Sequence, residues 1–272
     1  MIVGTPKEIK NHEHRVGLTP ASVRELTAAG QRVLVQSGAG AGAGMDDAQY
    51  RAAGAELVDS AAELFARAEL VVKVKEPQAQ ECALLRPGQI LFTYLHLAPD
   101  RAQTEALLAS GAVCIAYETV TGPGGGLPLL APMSEVAGRM SVQVAARLLE
   151  KSYGGQGVLL SGVPGVPAAR LVILGGGVVG SQALQIAAGM GAQVTVLDRS
   201  LERLRQLDQR WGNRITTRHS TQSAIEEELL AADAVNAFLF NPSQVSVSRK
   251  GLKGLWVNSP VAANDLSQVS WQ

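Results

Sequence analysis

Residues 171–180 read LVILGGGVVG, and this stretch decides the fold of the second half of the chain. Four aliphatic residues predict a buried strand, and the glycines that follow have the spacing G-x-G-x-x-G before a helical pattern. Gly175 permits a tight turn, Gly177 lets backbone N–H groups approach a pyrophosphate, and Gly180 lets the helix pack closely on the strand. The helix N-terminus adds partial positive charge toward the phosphates. The stretch therefore predicts a dinucleotide site, and a glycine turn without ligand is the alternative.

Asp198 gives the predicted dinucleotide site its selectivity. It follows the next predicted strand, Val194–Leu197, eighteen residues after Gly180. A carboxylate there can accept hydrogen bonds from both ribose hydroxyls and repels a 2′-phosphate, so NAD is favoured over NADP. Arg199 and Arg203 weaken this exclusion without reversing it.

Composition bounds the class of protein. The chain has 272 residues, of which 24 are basic and 24 are acidic. Hydrophobic residues make up 46% of the chain and charged residues only 18%, a composition that excludes a disordered chain. The zero net charge gives no electrostatic argument for nucleic acid or an anionic membrane as partner. No stretch has about 20 consecutive apolar residues, and the N-terminus has no apolar signal core. We therefore expect a cytoplasmic protein, in which Cys82 and Cys114 stay reduced.

Short apolar runs alternate with helical stretches along most of the chain, which predicts an α/β fold of two Rossmann-like domains with largely parallel sheets. The predicted domains are 1–130 and 131–240, followed by a divergent tail, 241–272. The predicted strands are Ile2–Gly4, Arg32–Val35, Leu70–Lys75, Ile90–Leu95, Val113–Tyr117, Leu171–Leu174, Val194–Leu197, Ile215–Thr217 and Val235–Phe240, with Leu255–Val257 as a further candidate.

Capping residues, prolines and glycines predict where two helices begin and end. Thr19 is placed to cap a helix with Pro20 at its first position, and Gly30 ends it. A second helix is predicted from Pro99 to Gly111. The glycines and prolines of residues 120–132 predict a linker or hinge between the domains.

A long helix is predicted after this linker, from about Met133 to Lys151. Four apolar residues at helical spacing predict one apolar stripe along it. The stripe consists of Val136, Met140, Val144 and Leu148.

Lysine and histidine residues of the first half are candidates for chemistry. Lys73, Lys75 and His96 come at the ends of predicted strands, where ligands bind in parallel sheets, although ordinary residues also occupy strand ends. His12 and His14 have a spacing seen in metal sites, but no further ligand residues cluster near them. A flexible polar loop is the favoured interpretation there, and no metal is predicted.

Six segments of the chain carry a family resemblance. They are PKEIKNHEHRVGLTP, SGAGAGAGMDDAQYRAAGAEL, VVKVKEP, YLHLAPD, PMSEVAGRMSVQ and VPAARLVILGGGVVG. Together they resemble the alanine dehydrogenases, collinearly from Met1 to about Val235. The related transhydrogenase α subunits share the KEI-x-x-x-E-x-RV opening and the glycine loop but lack KVKEP and YLHLA, which favours alanine dehydrogenase.

The resemblance implies roles in the first domain, which would be the substrate domain. Arg15 would hold the carboxylate of L-alanine or pyruvate, which suits a bidentate guanidinium. Lys75 would contact the carboxylate or keto oxygen of the same substrate. His96 would be the general acid/base, because imidazole exchanges protons near neutral pH.

The resemblance also implies a reaction and an assembly. L-Alanine, NAD⁺ and water would give pyruvate, ammonium and NADH, with the site in the cleft between the domains of a hexamer. The second domain would bind NAD. Its implied cofactor residues are Ser134, Gly175, Gly177, Val178, Val179, Gly180, Asp198, Arg203 and Ser220.

The match fails after about residue 235, where the family has a segment with a catalytic aspartate and then a return to the first domain. Asn236 onward reads NAFLFNPS instead, and the sequence ends at Gln272. Asp265 or Asn264 would stand near the place of that aspartate; a chance likeness is the alternative. We therefore expect a truncated or frameshifted product with impaired catalysis. The alternative functions are a non-catalytic nucleotide-binding homologue and a transhydrogenase-type subunit.

Overall fold

The structure is a computed structural model that describes residues 1–231, 252–253 and 270–271. It has two compact units, Met1–Leu130 and a second unit that begins at Ala131. The predicted strands 235–240 and 255–257, together with Asn264 and Asp265, lie outside the described residues.

The first unit is built on a parallel sheet of six strands in the order β3-β2-β1-β4-β5-β6. This confirms the predicted α/β class and parallel pairing. The prediction missed β3, because three residues with a charged first member give no recognisable alternation. The strands are β1 (Ile2–Thr5), β2 (Arg32–Gln36), β3 (Glu56–Val58), β4 (Leu70–Val72), β5 (Ile90–Thr93) and β6 (Val113–Ala116).

Helices join these parallel strands. They are α1 (Pro20–Ala28), α2 (Asp47–Ala52), α3 (Ala61–Arg67), α4 (Ala79–Cys82) and α5 (Arg101–Ser110). The Thr19 side chain accepts a hydrogen bond from the Ser22 N–H, and Gly30 takes a positive φ of 77°, which confirms both predicted ends of α1. Helix α5 begins later than predicted because Asp100, rather than Pro99, caps it.

Two strands of this sheet end earlier than predicted, β4 at Val72 instead of Lys75 and β5 at Thr93 instead of Leu95. In each case a side-chain carboxylate accepts hydrogen bonds from backbone N–H groups that follow the strand, in place of a neighbouring strand. Glu8 accepts from Val74 N–H at 2.6 Å, and Glu118 accepts from the N–H groups of the two residues Leu95 and His96. The chain is thereby turned out of the sheet at two neighbouring positions.

Strand β1 lies between β2 and β4, so the direction of winding reverses between β1 and β4. In parallel α/β sheets, the crevice for ligands lies outside the carboxyl ends of the strands at this switch point. The segments that follow β1 and β4 contain Arg15 and Lys75 respectively.

The second unit contains the parallel sheet β7-β8-β9, formed by Arg170–Leu174, Gln193–Asp198 and Ile215–His219. These strands confirm the three predicted from 171 to 217. An aliphatic core that includes Leu171, Ile173 and Leu184 packs between sheet and helices. The helices are α6 (Ala131–Leu148), α7 (Val178–Gly189), α8 (Leu201–Trp211) and α9 (Gln222–Ala231), and the short pair β10 (Leu252–Lys253) and β11 (Ser270–Trp271) is antiparallel.

The four apolar residues of the stripe predicted along α6 are 38–51% exposed, so the buried face of the helix is a different one. The buried residues are Gly138, Val142 and Ala145. Gly138 lies so close to α7 that a Cβ would come within 2.2 Å of the Val179 carbonyl oxygen. A small residue occupies the close contact on this face because it lets the two helix backbones approach each other. A pattern based on hydrophobicity does not detect this requirement.

No helix among the described residues has the length and apolar character that crossing a bilayer requires. Cys82 and Cys114 are free thiols.

Candidate functional site

Polar side chains from three loops gather in the first unit beyond the carboxyl ends of β1, β4 and β5. Lys75 and His96 are neighbours, with Lys75 Nζ at 3.5 Å from His96 Nε2. Arg15 lies in the segment that follows β1, the strand next to β4, and its guanidinium is paired with Glu13. Lys75 and His96 are thus direct neighbours, and Arg15 follows the neighbouring strand at the same edge of the sheet.

Glu13 fixes the guanidinium of Arg15. The Arg15 Nε–H donates to Glu13 Oε1 at 2.8 Å and Nη2–H donates to Oε2 at 2.6 Å, a two-pronged pair. Hydrogen bonding to Glu13 raises the pKa of Arg15, so this group keeps its positive charge. The Arg15 side chain is 49% exposed whereas that of Glu13 is 8% exposed, so the cation faces solvent from a buried carboxylate. Such a preset planar cation suits a carboxylate ligand.

His96 sits on a strained backbone. Its φ of 49° lies in the left-handed region that residues other than glycine seldom adopt. Glu118 accepts from the His96 N–H at 2.7 Å, and the imidazole stacks on the Tyr94 ring with 5.9 Å between centroids. Burial and the charge of Lys75 lower the pKa of His96 below its usual value. The imidazole is therefore neutral at pH 7 and able to accept a proton.

Lys75 is held between His96 and a buried carboxylate. Its ammonium lies 3.7 Å from Glu76 Oε2, a buried oxygen that has no hydrogen-bond partner in the described part of the chain. Burial acts to raise the pKa of Glu76, but its hydrogen bond with Lys10 and the nearby Lys75 outweigh burial and lower it. The Lys75 ammonium is thus next to a carboxylate whose pKa is lowered.

The glycine loop of the second unit has the geometry of a phosphate cradle. Gly175 adopts a φ of 94°, which allows the tight turn after β7. Gly177 is the N-cap of α7 and provides no side chain to satisfy the first N–H groups of this helix. No atom of the described residues lies within 4 Å of the place a Cβ at Gly177 would take, so this part of the structure leaves room for a ligand there. These residues fit the diphosphate of a dinucleotide.

Asp198 lies at the end of β8 beside this loop. Its Oδ2 accepts from the Gly176 N–H at 2.6 Å, and its Oδ1 accepts from the Ser200 N–H at 2.7 Å. Each carboxylate oxygen has a second lone pair, so both can still accept from ribose hydroxyls. The carboxylate therefore joins the loop and the predicted ribose position.

Arg203 closes over the same loop. Its Nε–H donates to the Gly176 carbonyl oxygen at 2.6 Å, and its Nη2–H donates to Ser181 Oγ at 2.5 Å. The guanidinium is thus bound to the backbone of the loop that is predicted to hold the phosphates.

The remaining predicted cofactor residues are placed as follows. Ser220 directly follows β9, and its N–H donates to the Asp198 carbonyl oxygen at 2.9 Å. Val178 and Val179 open α7, and Gly180 is buried within it. Ser134 lies in the first turn of α6, half-buried, and α6 packs on α7.

Sequence reasoning missed Glu13, Tyr94 and Glu118, which shape the cluster around Arg15 and His96. Glu13 stands two residues before Arg15, and Tyr94 stands two before His96, so spacing alone could have flagged them. Glu118 carries no local signal, because the amides it binds lie 22 and 23 residues away. Among the described residues, no group of three or more potential ligands could hold a metal ion.

Family models match both units of the chain. The model described as the N-terminal domain of alanine dehydrogenase/PNT matches residues 4–137, and that of the C-terminal domain matches residues 141–239.

Curated relatives and solved structures are similar over the same region. An alanine dehydrogenase from Halomonas elongata is 57% identical and one from Mycobacterium tuberculosis is 55% identical, each over 86% of this chain and 63% of the relative. The solved structure of an L-alanine dehydrogenase is 52% identical with a TM-score of 0.80, covering 85% of this chain and 64% of that one. A transhydrogenase structure from Sinorhizobium meliloti is 26% identical with a TM-score of 0.70, covering 85% and 68%. The chain spans less than two thirds of the length of these dehydrogenases.

Proposed function

The chain belongs to the alanine dehydrogenase/PNT family, and from that premise we propose that it acts as an NAD-dependent alanine dehydrogenase. The proposed reaction converts L-alanine, NAD⁺ and water to pyruvate, ammonium, NADH and a proton. The observation that carries the proposal is the contact of Lys75 with His96 beyond the strand ends of the first unit, with the Arg15 guanidinium fixed by Glu13 after the neighbouring strand β1. NAD, when bound, supplies the acceptor for the hydride that leaves the α-carbon of alanine.

The residues of the cluster divide the work on the substrate. The charged guanidinium of Arg15 would bind the substrate carboxylate and orient the α-carbon. The ammonium of Lys75 would stabilise negative charge that develops on the oxygen of the carbinolamine or keto group. The neutral imidazole of His96 would take the proton of the attacking water and return it to the departing amine. Its lowered pKa supports the role of base at neutral pH.

The residues of the second unit would hold NAD. The glycine loop 175–180 and the first N–H groups of α7 would bind the diphosphate, with Arg203 beside them. Asp198 would accept hydrogen bonds from the ribose hydroxyls and would repel a 2′-phosphate. Ser220 would lie near the adenosine, and Ser134 would contact the phosphates.

Turnover with matched variants tests the proposal. Purified full-length chain is given NAD⁺ with L-alanine or D-alanine, and NADH absorbance is followed. His96→Asn keeps a residue that tolerates positive φ but removes the acid/base group, so turnover should fall by about a hundredfold or more. His12→Asn is the control, since His12 is exposed and has a φ of 60°. No NADH from L-alanine with the parent chain, or equal rates for both variants, would refute the proposal.

Two alternatives have their own outcomes. Because the chain matches only 63% of the curated relatives' length, it could bind NADH without turnover, which calorimetry together with an inactive assay would reveal. The similarity to a transhydrogenase structure raises a second alternative, hydride transfer from NADH to NADP⁺, which the same spectrophotometer measures with an NADP⁺ analogue.

We also propose, from the family resemblance, that the protein is a cytoplasmic hexamer. Light scattering after size-exclusion chromatography should give the mass of six 28.4 kDa chains, and a monomer mass would refute the assembly. Cell fractionation tests the location.

A further inference from the structure

A buried group of three charges lies beneath the cluster just described. Lys73 Nζ lies 3.0 Å from Glu8 Oε2 and 2.6 Å from Glu81 Oε1. The side chains of all three residues are at most 3% exposed. We call Glu8, Lys73 and Glu81 the buried triad. Charges withdrawn from water this completely are costly, and one ammonium between two carboxylates is the least costly arrangement.

The buried triad is connected to Lys75 through the second oxygen of Glu8. This oxygen, Oε1, accepts from the Val74 N–H at 2.6 Å and faces the Lys75 N–H at 3.4 Å. These are the amides that end β4 and send the chain out of the sheet. On the other side of Lys73, the second oxygen of Glu81 accepts from the Gln78 N–H and caps α4.

We propose that Lys73 is a positioning residue for Lys75: by binding Glu8 it holds the carboxylate that fixes the backbone of residues 74–75, and so places the Lys75 ammonium beside His96. This deepens the proposed function and rests on it for its catalytic consequence. Lys73 itself touches no substrate, because its side chain is completely buried.

The charges explain why Lys73 is needed for this placement. Without the ammonium, Glu8 would be a buried carboxylate beside a second one, Glu81, whose pKa burial already raises. The two carboxylates would repel each other, and Glu8 would turn toward water. A rotated carboxylate no longer faces the amides, so residues 74–75 lose the contact that positions them.

Lys73→Met tests the proposal, with a buried control in the same sheet. The control residue, Gln89, directly precedes β5 and therefore lies at the end of the sheet opposite to Lys75. Gln89→Met removes the side-chain hydrogen bonds to the carbonyl oxygens of Phe65 and Ala68. Both variants should lower the melting temperature. Only Lys73→Met should lower kcat, by about tenfold to a hundredfold as expected for a misplaced catalytic group, with NADH affinity unchanged.

A titration that needs no turnover provides the second readout. The charged groups that act on the His96 imidazole are Lys75, Glu118, Glu76 and Lys10. If Lys73→Met displaces Lys75, the pKa of His96, followed by NMR of its ring protons, should rise toward its ordinary value. In Gln89→Met the pKa should stay at the parent value.

Glu8→Gln covers the case in which Lys73→Met does not fold. Its single amide oxygen should stay with the ammonium, the stronger partner, and its NH₂ group would then repel the N–H groups of residues 74–75. The same loss of kcat and the same rise in the pKa of His96 are expected.

The outcomes separate this proposal from the proposed function. Parent activity with unchanged kcat and unchanged His96 titration in both variants would overturn the positioning role and leave the dehydrogenase intact. An inactive parent chain whose His96 titration still responds to Lys73→Met would support the positioning role and refute the dehydrogenase.

Discussion

Substituting Gly138 by alanine tests how closely α6 and α7 must approach. The new Cβ would stand 2.2 Å from the Val179 carbonyl oxygen and 2.8 Å from Gln182 Cβ. Ordinary contact begins at 3.4 Å, so a backbone group of α7 has to retreat by more than 1 Å. Overpacking of this kind costs about 1–3 kcal/mol, equivalent to roughly 2–12 °C in Tm for a chain of this size.

The same displacement should reach the cofactor site, because Val179 is in the first turn of α7. Loss of about one charge-assisted hydrogen bond to the diphosphate would weaken NADH binding about tenfold. Thermal melts and calorimetry with NADH measure both effects. Gly189→Ala is the control, since a Cβ at this α7 position meets nothing within 4 Å and alanine favours a helix. If Gly138→Ala melted and bound NADH like the parent chain, the reasoning from close packing would be refuted.

Three further predictions concern the charged groups of the two sites. Asp198→Ala should weaken NADH binding by about tenfold or more in calorimetry, since it removes both the loop contact and the ribose acceptor; unchanged affinity would show that the ribose is not held there. Lys75→Met should raise the pKa of His96, because it removes a nearby positive charge that disfavours the imidazolium. If NMR titration found no rise, the charge of Lys75 would not act on His96. Glu118→Gln should lower the same pKa, because the carboxylate favours the imidazolium, and a rise would contradict the assigned direction.

Local patterns predicted the strands and the glycine loop because the determining residues are adjacent in sequence. Gly175 and Asp198 occupy the positions expected from the spacing alone, one in the turn and the other beside it. The ends of β4 and β5 could not be predicted in this way. They depend on Glu8 and Glu118, which are 66 residues from Val74 and 22 residues from His96.

The wrong face of α6 has a different cause. The predicted stripe ranked residues by hydrophobicity, whereas the contact with α7 requires a small residue at Gly138. Likewise, position at a strand end predicted Lys73 and Lys75 equally as ligand residues, and the family resemblance assigned a substrate role to Lys75 alone. The burial of Lys73 between two carboxylates is the physical reason why the two lysines differ.

The central place of β1 in its sheet has a consequence for how the chain folds during synthesis. Strand β1 leaves the ribosome before both of its partners, β2 on one flank and β4 on the other. The side of β1 that pairs with β4 has no partner until residues 70–72 have emerged. Until then, this edge of the nascent sheet stays exposed. Deleting residues 2–5 would divide the finished sheet into β2-β3 and β4-β5-β6. The four residues of β1 thus join the two halves of this sheet, and their deletion should be far more damaging than its length suggests.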